Sequence, residues 1–183
     1  DSTKVFLFFS GGMMLHTGYL FGQDKNAPIT ADGRSCSPQG AIWGLGGSIR
    51  VHLWKYLRTG FEGGVSNMNS GWTDCNEILQ KGSYVRMGYG GVLADACWRL
   101  EKIWPYIGGT IGGGTIKGLY ILEGNQEDWI EETHSVFHKN SFFYVTPYVG
   151  FDYCMTKRIH LTFRFDWMLA FHKNELVMPT GPR

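Results

Sequence analysis

The sequence lacks an apolar run that could cross a bilayer as a helix. Its apolar runs are short, as at residues 5–9, whereas a membrane helix needs about 20 residues. It also lacks an excess of either charge, because 17 Lys and Arg residues stand against 16 Asp and Glu residues. No basic field therefore argues for a nucleic acid as a partner. The four cysteines include no CxxC pair, which argues against a zinc ribbon or a thioredoxin-like motif.

The start of the chain lacks an export signal. Residues 1–4 do not begin a charged region followed by a long apolar segment, and the first residue is not a lipid-accepting Cys. A processed exported chain starts in this way, and so does a cytosolic fragment. The first residues alone therefore leave both compartments open.

Glycine and aromatic residues are abundant. The chain contains 26 Gly residues, and aromatic residues make up 15% of it. Glycine disfavours helices, and aromatic side chains favour strands. The composition therefore argues against a helical protein, and the length suits a single domain over residues 1–183.

Seven segments are predicted as β-strands: residues 4–22, 43–53, 57–67, 83–99, 104–122, 142–155 and 158–170. Residues 43–53, 57–67 and 158–170 alternate between an apolar and a polar face, and the other segments are less regular. In the segment 83–99, Val85 and Met87 are assigned to the apolar face and Arg86 to the polar face. The phase is lost near Ala94 and Asp95, which predicts a β-bulge. The Gly-rich residues 108–114 are expected to leave room for large inward side chains of neighbouring strands.

The connections between these segments alternate in length. Short turns are predicted at residues 54–56, 101–103 and 156–157, and long loops at 23–40, 70–82, 123–141 and 171–182. Short turns at one end and long loops at the other are typical of an all-β, antiparallel up-and-down transmembrane β-barrel. Such barrels have an even number of strands, so an eighth strand is expected. Residues 181–183 are interpreted as its start, with the rest missing from this sequence.

The chain resembles the small outer-membrane β-barrel superfamily, with the architecture of the OmpA transmembrane domain and OmpX, and most of all the uncharacterised small barrels of Bacteroidota. The resemblance lies in GGMMLHTGY at residues 11–19, PYIGGTIGGG at 105–114 and IHLTF at 159–163. It implies the outer membrane of a Gram-negative bacterium. Outer-membrane lipid, including lipopolysaccharide, is the implied partner, with other outer-membrane proteins as a second class. It brings no assigned activity and no cofactor.

The polar faces of the strands predict a network of charges inside the barrel. An eight-stranded barrel is just wide enough for side chains to fill it, so opposite charges there should pair. The predicted network contains Arg50, Arg58, Glu62, Arg86, Arg164 and Asp166. We expect it to plug the lumen, although a narrow polar pore stays open as an alternative.

Enzymatic and metal-binding functions have weaker signals. His134 and His138 have a spacing that one metal ion could bridge on a helix, but no HExxH motif is present, so no metal site is predicted. His16 near Ser10 is similar to the residue types used by lipid-modifying barrel enzymes, without their motif. The leading hypothesis is a structural or binding barrel that presents its loops and is not an enzyme.

The cysteines permit one disulfide prediction. Cys36 and Cys75 fall in loops at the same end of the barrel, in an oxidising compartment, so we expect them to be linked. Cys97 and Cys154 fall near the opposite rim on strands that are not neighbours. These two are expected to stay unpaired.

Overall fold

The computed structural model describes residues 8–21, 40–69, 84–121, 135–172, 175–176 and 180–183. Seven long strands follow one another: β1 (Phe8–Leu20), β2 (Gly40–His52), β3 (Leu57–Asn69), β4 (Tyr84–Cys97), β5 (Ile103–Ile121), β6 (Ser135–Cys154) and β7 (His160–His172). Two short strands, β8 (Glu175–Leu176) and β9 (Gly181–Pro182), complete the sheet in these ranges. The described ranges contain no helix, so the prediction of an all-β fold is confirmed.

Each long strand pairs antiparallel with the next along the chain, from β1 to β7. This up-and-down sheet curls into an open barrel, as the alternation and the loop lengths predicted. Short connections join β2 to β3, β4 to β5 and β6 to β7 at the end that we call the short-turn end. The opposite end, where β1 leads to β2 and β3 leads to β4, is called the long-loop end.

Several predicted strand limits were wrong. The third loop was expected to reach residue 141, but β6 already begins at Ser135 and is 20 residues long. The predicted bulge near Ala94 and Asp95 is absent, because β3 and β4 pair without interruption from Leu57 opposite Ala96 to Asn69 opposite Tyr84. The fourth predicted loop contains β8, which pairs with the end of β7.

The strands alternate between an outward apolar face and an inward face, as predicted for most of them. Outward side chains such as Ile49, Phe61 and Phe163 are more than half exposed, while inward Arg58 and Asp95 are almost fully buried. Strand β4 was assigned in the opposite phase in its first half. There Val85 and Met87 point inward and are buried, and Arg86 is exposed on the outer face.

The interior is apolar at the long-loop end, which explains the inverted phase of β4. A cluster of buried side chains fills that end, and Val85 and Met87 belong to it. Its buried members are Leu20, Ile42, Met68, Val85, Met87, Ile116, Phe142, Tyr144, Met168 and Ala170. There β4 still alternates, but its inner face is apolar and its outer face carries Arg86, so placing the apolar residues outside gives the opposite phase.

Glycines cross the middle of the sheet in a line. On the outer face, Gly47 lies opposite Gly63, Gly63 opposite Gly90, and Gly90 opposite Gly113. We call these four residues the glycine belt. Other glycines face inward under large rings: a Cβ atom on Gly64 would lie 2.7 Å from the Tyr89 hydroxyl, and one on Gly114 would lie 2.5 Å from the Phe142 ring. These inward glycines provide the room that was expected for large neighbours.

The last four residues lie between the two edges of the sheet. The Phe21 amide donates to the Thr180 carbonyl, and the backbones of Asp166 and Arg183 exchange two hydrogen bonds of 2.8 and 3.0 Å. Residues 180–183 therefore run antiparallel to β7 and begin to fill the space between β7 and β1, as expected for the start of a closing strand. In the described part of the chain, no helix is long and apolar enough to cross a membrane.

Candidate functional site: the interior charge network

The interior side chains form two groups of charges at different heights. The central cluster contains Glu62, Arg164, Asp166 and Arg183. The second group, nearer the short-turn end, contains Arg50, Arg58, Asp95 and Asp152 and is called the short-turn cluster. Each cluster holds two guanidinium groups and two carboxylates, so the formal charges balance within each.

Arg164 is the hub of the central cluster. Its Nη1 and Nη2 atoms donate to the two carboxylate oxygens of Glu62, at 2.5 and 3.2 Å. Its Nε atom donates to Asp166 at 3.0 Å. The carboxylate of Asp166 also accepts from the Nε atom of Arg183 at 2.9 Å. The cluster thus connects β3, β7 and the C-terminal residues through charge-assisted hydrogen bonds.

Arg58 is the hub of the short-turn cluster. Its Nε atom donates to Asp95 at 2.5 Å, and its Nη1 atom donates to Asp152 at 2.8 Å. The Tyr148 hydroxyl donates to Asp95 at 2.9 Å, and the Thr162 hydroxyl donates to Asp152 at 2.8 Å. Because Arg58 is only 2% exposed, its charge depends on these two carboxylates for compensation.

Tyrosine rings separate and support the guanidinium groups. Arg164 lies over the ring of Tyr148 at 4.1 Å from the centroid, and Arg58 lies over Tyr106 at 4.6 Å. Arg183 lies over a third ring, that of Tyr89, at 4.5 Å. These cation–π contacts hold the planar groups in place inside the barrel.

Arg50 has the fewest hydrogen-bond partners among the charged residues of the short-turn cluster. Its Nε atom lies 3.5 Å from Asp95, and its buried Nε and Nη2 atoms have no hydrogen-bond partner among the described residues. It lines a cavity of about 620 Å³ between β1 and β7, beside Ser10 and Arg164. The cavity marks the opening in the barrel wall, and Met13 on the adjoining edge is 89% exposed.

The structure places five of the six predicted network residues inside the barrel: Arg50, Arg58, Glu62, Arg164 and Asp166. The assignment of Arg86 to the interior is corrected. Arg86 lies on the outer face, where its Nε atom donates to the Asn67 side chain at 2.9 Å. The physical reason is the apolar packing of Val85 and Met87, which turns the neighbouring residue outward.

Sequence reasoning missed two residues that complete the clusters. Asp95 was interpreted as part of a bulge, although it follows Val85 and Met87 at even spacing and therefore shares their inward face. Anchoring the strand on this acidic residue would have given the correct phase. Arg183 carried no signal, because its role depends on where the C-terminal residues lie.

The histidines do not form a serine–histidine–carboxylate triad among the described residues. His16 lies 2.5 Å from the Ser66 hydroxyl, whereas Ser10 lies 3.4 Å from Nε2 of His52. The Nδ1 atom of His52 accepts from Arg99 at 2.6 Å. A neutral His52 therefore carries its proton on Nε2, which cannot act as a base toward Ser10.

The cysteines and possible metal ligands give no further site in the described ranges. Cys97 and Cys154 carry free thiols at the short-turn ends of β4 and β6. Cys36, Cys75 and His134 lie outside the described residues, as does the side chain of His138. No group of three or more His, Cys, Asp or Glu side chains in those ranges is arranged to hold a metal ion.

The sequence comparisons give no relative from which a role could be inferred. No protein family matches the sequence, and no curated protein matches it significantly. The class that the fold defines is an antiparallel up-and-down β-barrel with a charged interior.

Proposed function

We propose that this protein is a small barrel of the Gram-negative outer membrane whose lumen is plugged by charges. In this proposal it acts as a structural or binding component that presents its long loops outside the cell, alone or beside other outer-membrane proteins. The proposal goes beyond the fold, and it is supported by where the apolar and charged side chains lie.

The observation that carries the proposal is the inverted distribution of polarity. Large apolar side chains cover the outer face of every long strand, including Leu15, Ile49, Phe61, Val92, Ile111, Phe151 and Phe163. The charged side chains of both clusters are buried inside. Soluble proteins rarely expose so continuous an apolar surface, whereas a membrane barrel requires one.

The filled interior favours a plug over a pore. The two charge clusters occupy the centre and the short-turn end, and the apolar cluster occupies the long-loop end. An ion passing along the axis would have to separate Arg164 from Glu62 and then cross close-packed apolar side chains. Both steps cost free energy, because a buried ion pair must separate and a charge must then pass apolar side chains.

The experiment is partition between detergent and water, followed by insertion into lipid vesicles. The protein should enter the detergent phase and migrate on a gel at a heat-modifiable position. A monomer that stays soluble and monodisperse without detergent would contradict the membrane assignment.

A planar-bilayer recording tests the plug separately. We expect the inserted protein to show no steady current. Steady conductance from the wild type would replace the plugged barrel with a small pore while leaving the membrane assignment intact.

A further inference from the structure

Three cationic side chains form a row on the outer face of the barrel. Arg86 on β4 lies directly opposite Lys117 on β5, and Lys117 lies directly opposite Lys139 on β6. All three are exposed. We call them the basic row. Neighbouring strands are about 4.8 Å apart, so the row spans about 10 Å across the sheet.

The basic row has no compensating charge among the described side chains. Four of the acidic side chains, Glu62, Asp95, Asp152 and Asp166, are buried inside the barrel. Glu101, the fifth that the structure describes, lies at the short-turn end. Like charges directly opposite each other in a sheet destabilise it. Two such pairs in succession therefore favour a bound anion.

The height of the row on the barrel indicates what that anion is. The row lies near the long-loop ends of its strands, and Val92 and Ile111 belong to the exposed apolar surface farther toward the short-turn end. Trp43 lies at the same level of the sheet as the basic row, because it is opposite Asn67, which in turn is opposite Arg86. Tryptophan is enriched where a membrane barrel meets the lipid headgroups.

The contacts of Arg86 position its guanidinium group and leave part of it open to such a ligand. Its Nε atom is bonded to Asn67, and its guanidinium lies 5.8 Å from the centroid of the Tyr84 ring. Its Nη1 and Nη2 atoms have no partner in the part of the chain that the structure describes. Arginine donates paired hydrogen bonds to phosphate oxygens, and lysine adds point charges beside it.

We propose that the basic row binds the phosphate groups of an anionic membrane lipid, whose acyl chains lie along the apolar surface of β4, β5 and β6. This inference rests on the proposed function, because it requires the long-loop end to reach the headgroups of the outer leaflet. It adds to the proposed membrane barrel a defined lipid site, formed by Arg86, Lys117 and Lys139.

The test compares two triple variants in two kinds of vesicle. R86Q/K117Q/K139Q removes the basic row, and K55Q/K102Q/K157Q removes three exposed lysines of the short turns as a matched control. Each is inserted into vesicles of phosphatidylcholine with or without phosphatidylglycerol, and the melting temperature is read from the heat-modifiable gel shift. Inorganic phosphate is added in a separate arm.

Phosphatidylglycerol should raise the melting temperature of the wild type and of the control variant by about 2–4 °C. The basic-row variant should lose most of this shift. In pure phosphatidylcholine it should melt at the wild-type temperature or above, because the repulsion is gone. A purely structural role would instead lower its melting temperature there.

Equal shifts in the two variants would overturn the lipid site and leave the membrane assignment standing. A shift produced by inorganic phosphate alone would show a general anion site and would also overturn it. A wild type that fails to enter either kind of vesicle would overturn both proposals together.

Discussion

Arg164 and Glu62 bridge the interior of the barrel from β7 to β3, although 102 residues separate them in the sequence. Two guanidinium nitrogens contact the two carboxylate oxygens, which is the strongest geometry for this pair of groups. The pair therefore fastens the last long strand to the opposite wall. It holds the curled sheet together across its interior, in addition to the backbone pairing between neighbouring strands.

Glu62→Gln should destabilise the protein strongly. It leaves the buried Arg164 with Asp166 alone, and Asp166 already serves Arg183. Breaking a buried pair costs about 3–5 kcal/mol, and water in the lumen would reduce this figure. Thermal unfolding in detergent measures the loss, with Glu101→Gln in an exposed turn as the matched control. Equal melting of the two variants would contradict the interior network.

Arg58→Gln and Arg50→Gln should differ although both remove an inward arginine. Arg58 donates to Asp95 and Asp152, so its loss leaves Asp152 without a cation and leaves Asp95 with Arg50 alone. Arg50 lies 3.5 Å from Asp95 and has unsatisfied nitrogens, so its loss removes little. We expect the larger drop in melting temperature for Arg58→Gln. A larger drop in melting temperature for Arg50→Gln would show that Arg50, and not Arg58, stabilises the short-turn cluster most.

Ile111→Arg and Ile103→Arg test whether the outer face contacts lipid. Both isoleucines are on the outer face of β5, Ile111 toward its middle and Ile103 at its first residue. In a bilayer, an outward arginine costs about 2–4 kcal/mol at mid-depth and about 0–1 kcal/mol near the interface. Unfolding in vesicles should therefore show the larger loss at Ile111. On a water-exposed surface neither change would destabilise, which is the outcome that contradicts a membrane barrel.

Gly64→Ala and Gly90→Ala separate inward from outward glycines. A Cβ atom on Gly64 would lie 2.7 Å from the Tyr89 hydroxyl and 2.7 Å from the Leu45 carbonyl, whereas one on Gly90 would meet only the Glu62 carbonyl at 3.6 Å. Overpacking typically costs about 1–3 kcal/mol, so Gly64→Ala should melt lower. Gly90→Ala should be neutral or slightly stabilising. Equal melting temperatures for the two variants would contradict the position of the Tyr89 hydroxyl over Gly64.

The link between Cys36 and Cys75 stays a prediction, because both residues lie outside the described ranges. A disulfide closing a loop of this length stabilises a protein by about 3–4 kcal/mol in the chain-entropy model. Mass spectrometry of a non-reduced digest decides between a linked pair and two thiols. Linkage of Cys36 to Cys97 or Cys154 would contradict the topology, since those two lie at the short-turn end.

The strands could be predicted because most of them present contrasting faces. In β7, Phe163 and Phe165 alternate with Arg164 and Asp166, and this contrast determines both the strand and its orientation. In β4 the contrast is present but reversed, because Val85 and Met87 pack inside against other apolar residues and Arg86 lies outside. Alternation shows that two faces differ but not which of them lies inside, and an interior that changes from charged to apolar along its length reverses the assignment.

The charged residues could be predicted more readily than their partners. Glu62 and Arg164 were recognised from their faces, but nothing local to either residue indicates that β3 and β7 meet across the interior. Predicting the role of Asp95 requires the correct phase of β4. Predicting that of Arg183 requires the position of the C-terminal residues between β7 and β1. Pairing depends on curvature and register, which emerge only when the whole sheet is assembled.

The glycine belt leaves the barrel wall without bulky side chains on the outer face at the middle of β2 to β5. Side-chain pairs across strands stiffen a sheet, and none exists where Gly47, Gly63, Gly90 and Gly113 face one another. On the outer face of β2 to β5, backbone hydrogen bonds therefore hold this level of the wall without cross-strand contacts between side chains. Glu62 precedes Gly63 and points inward. Its ion pair with Arg164 therefore supports this level of the wall from within, where the outer face lacks contacts between side chains.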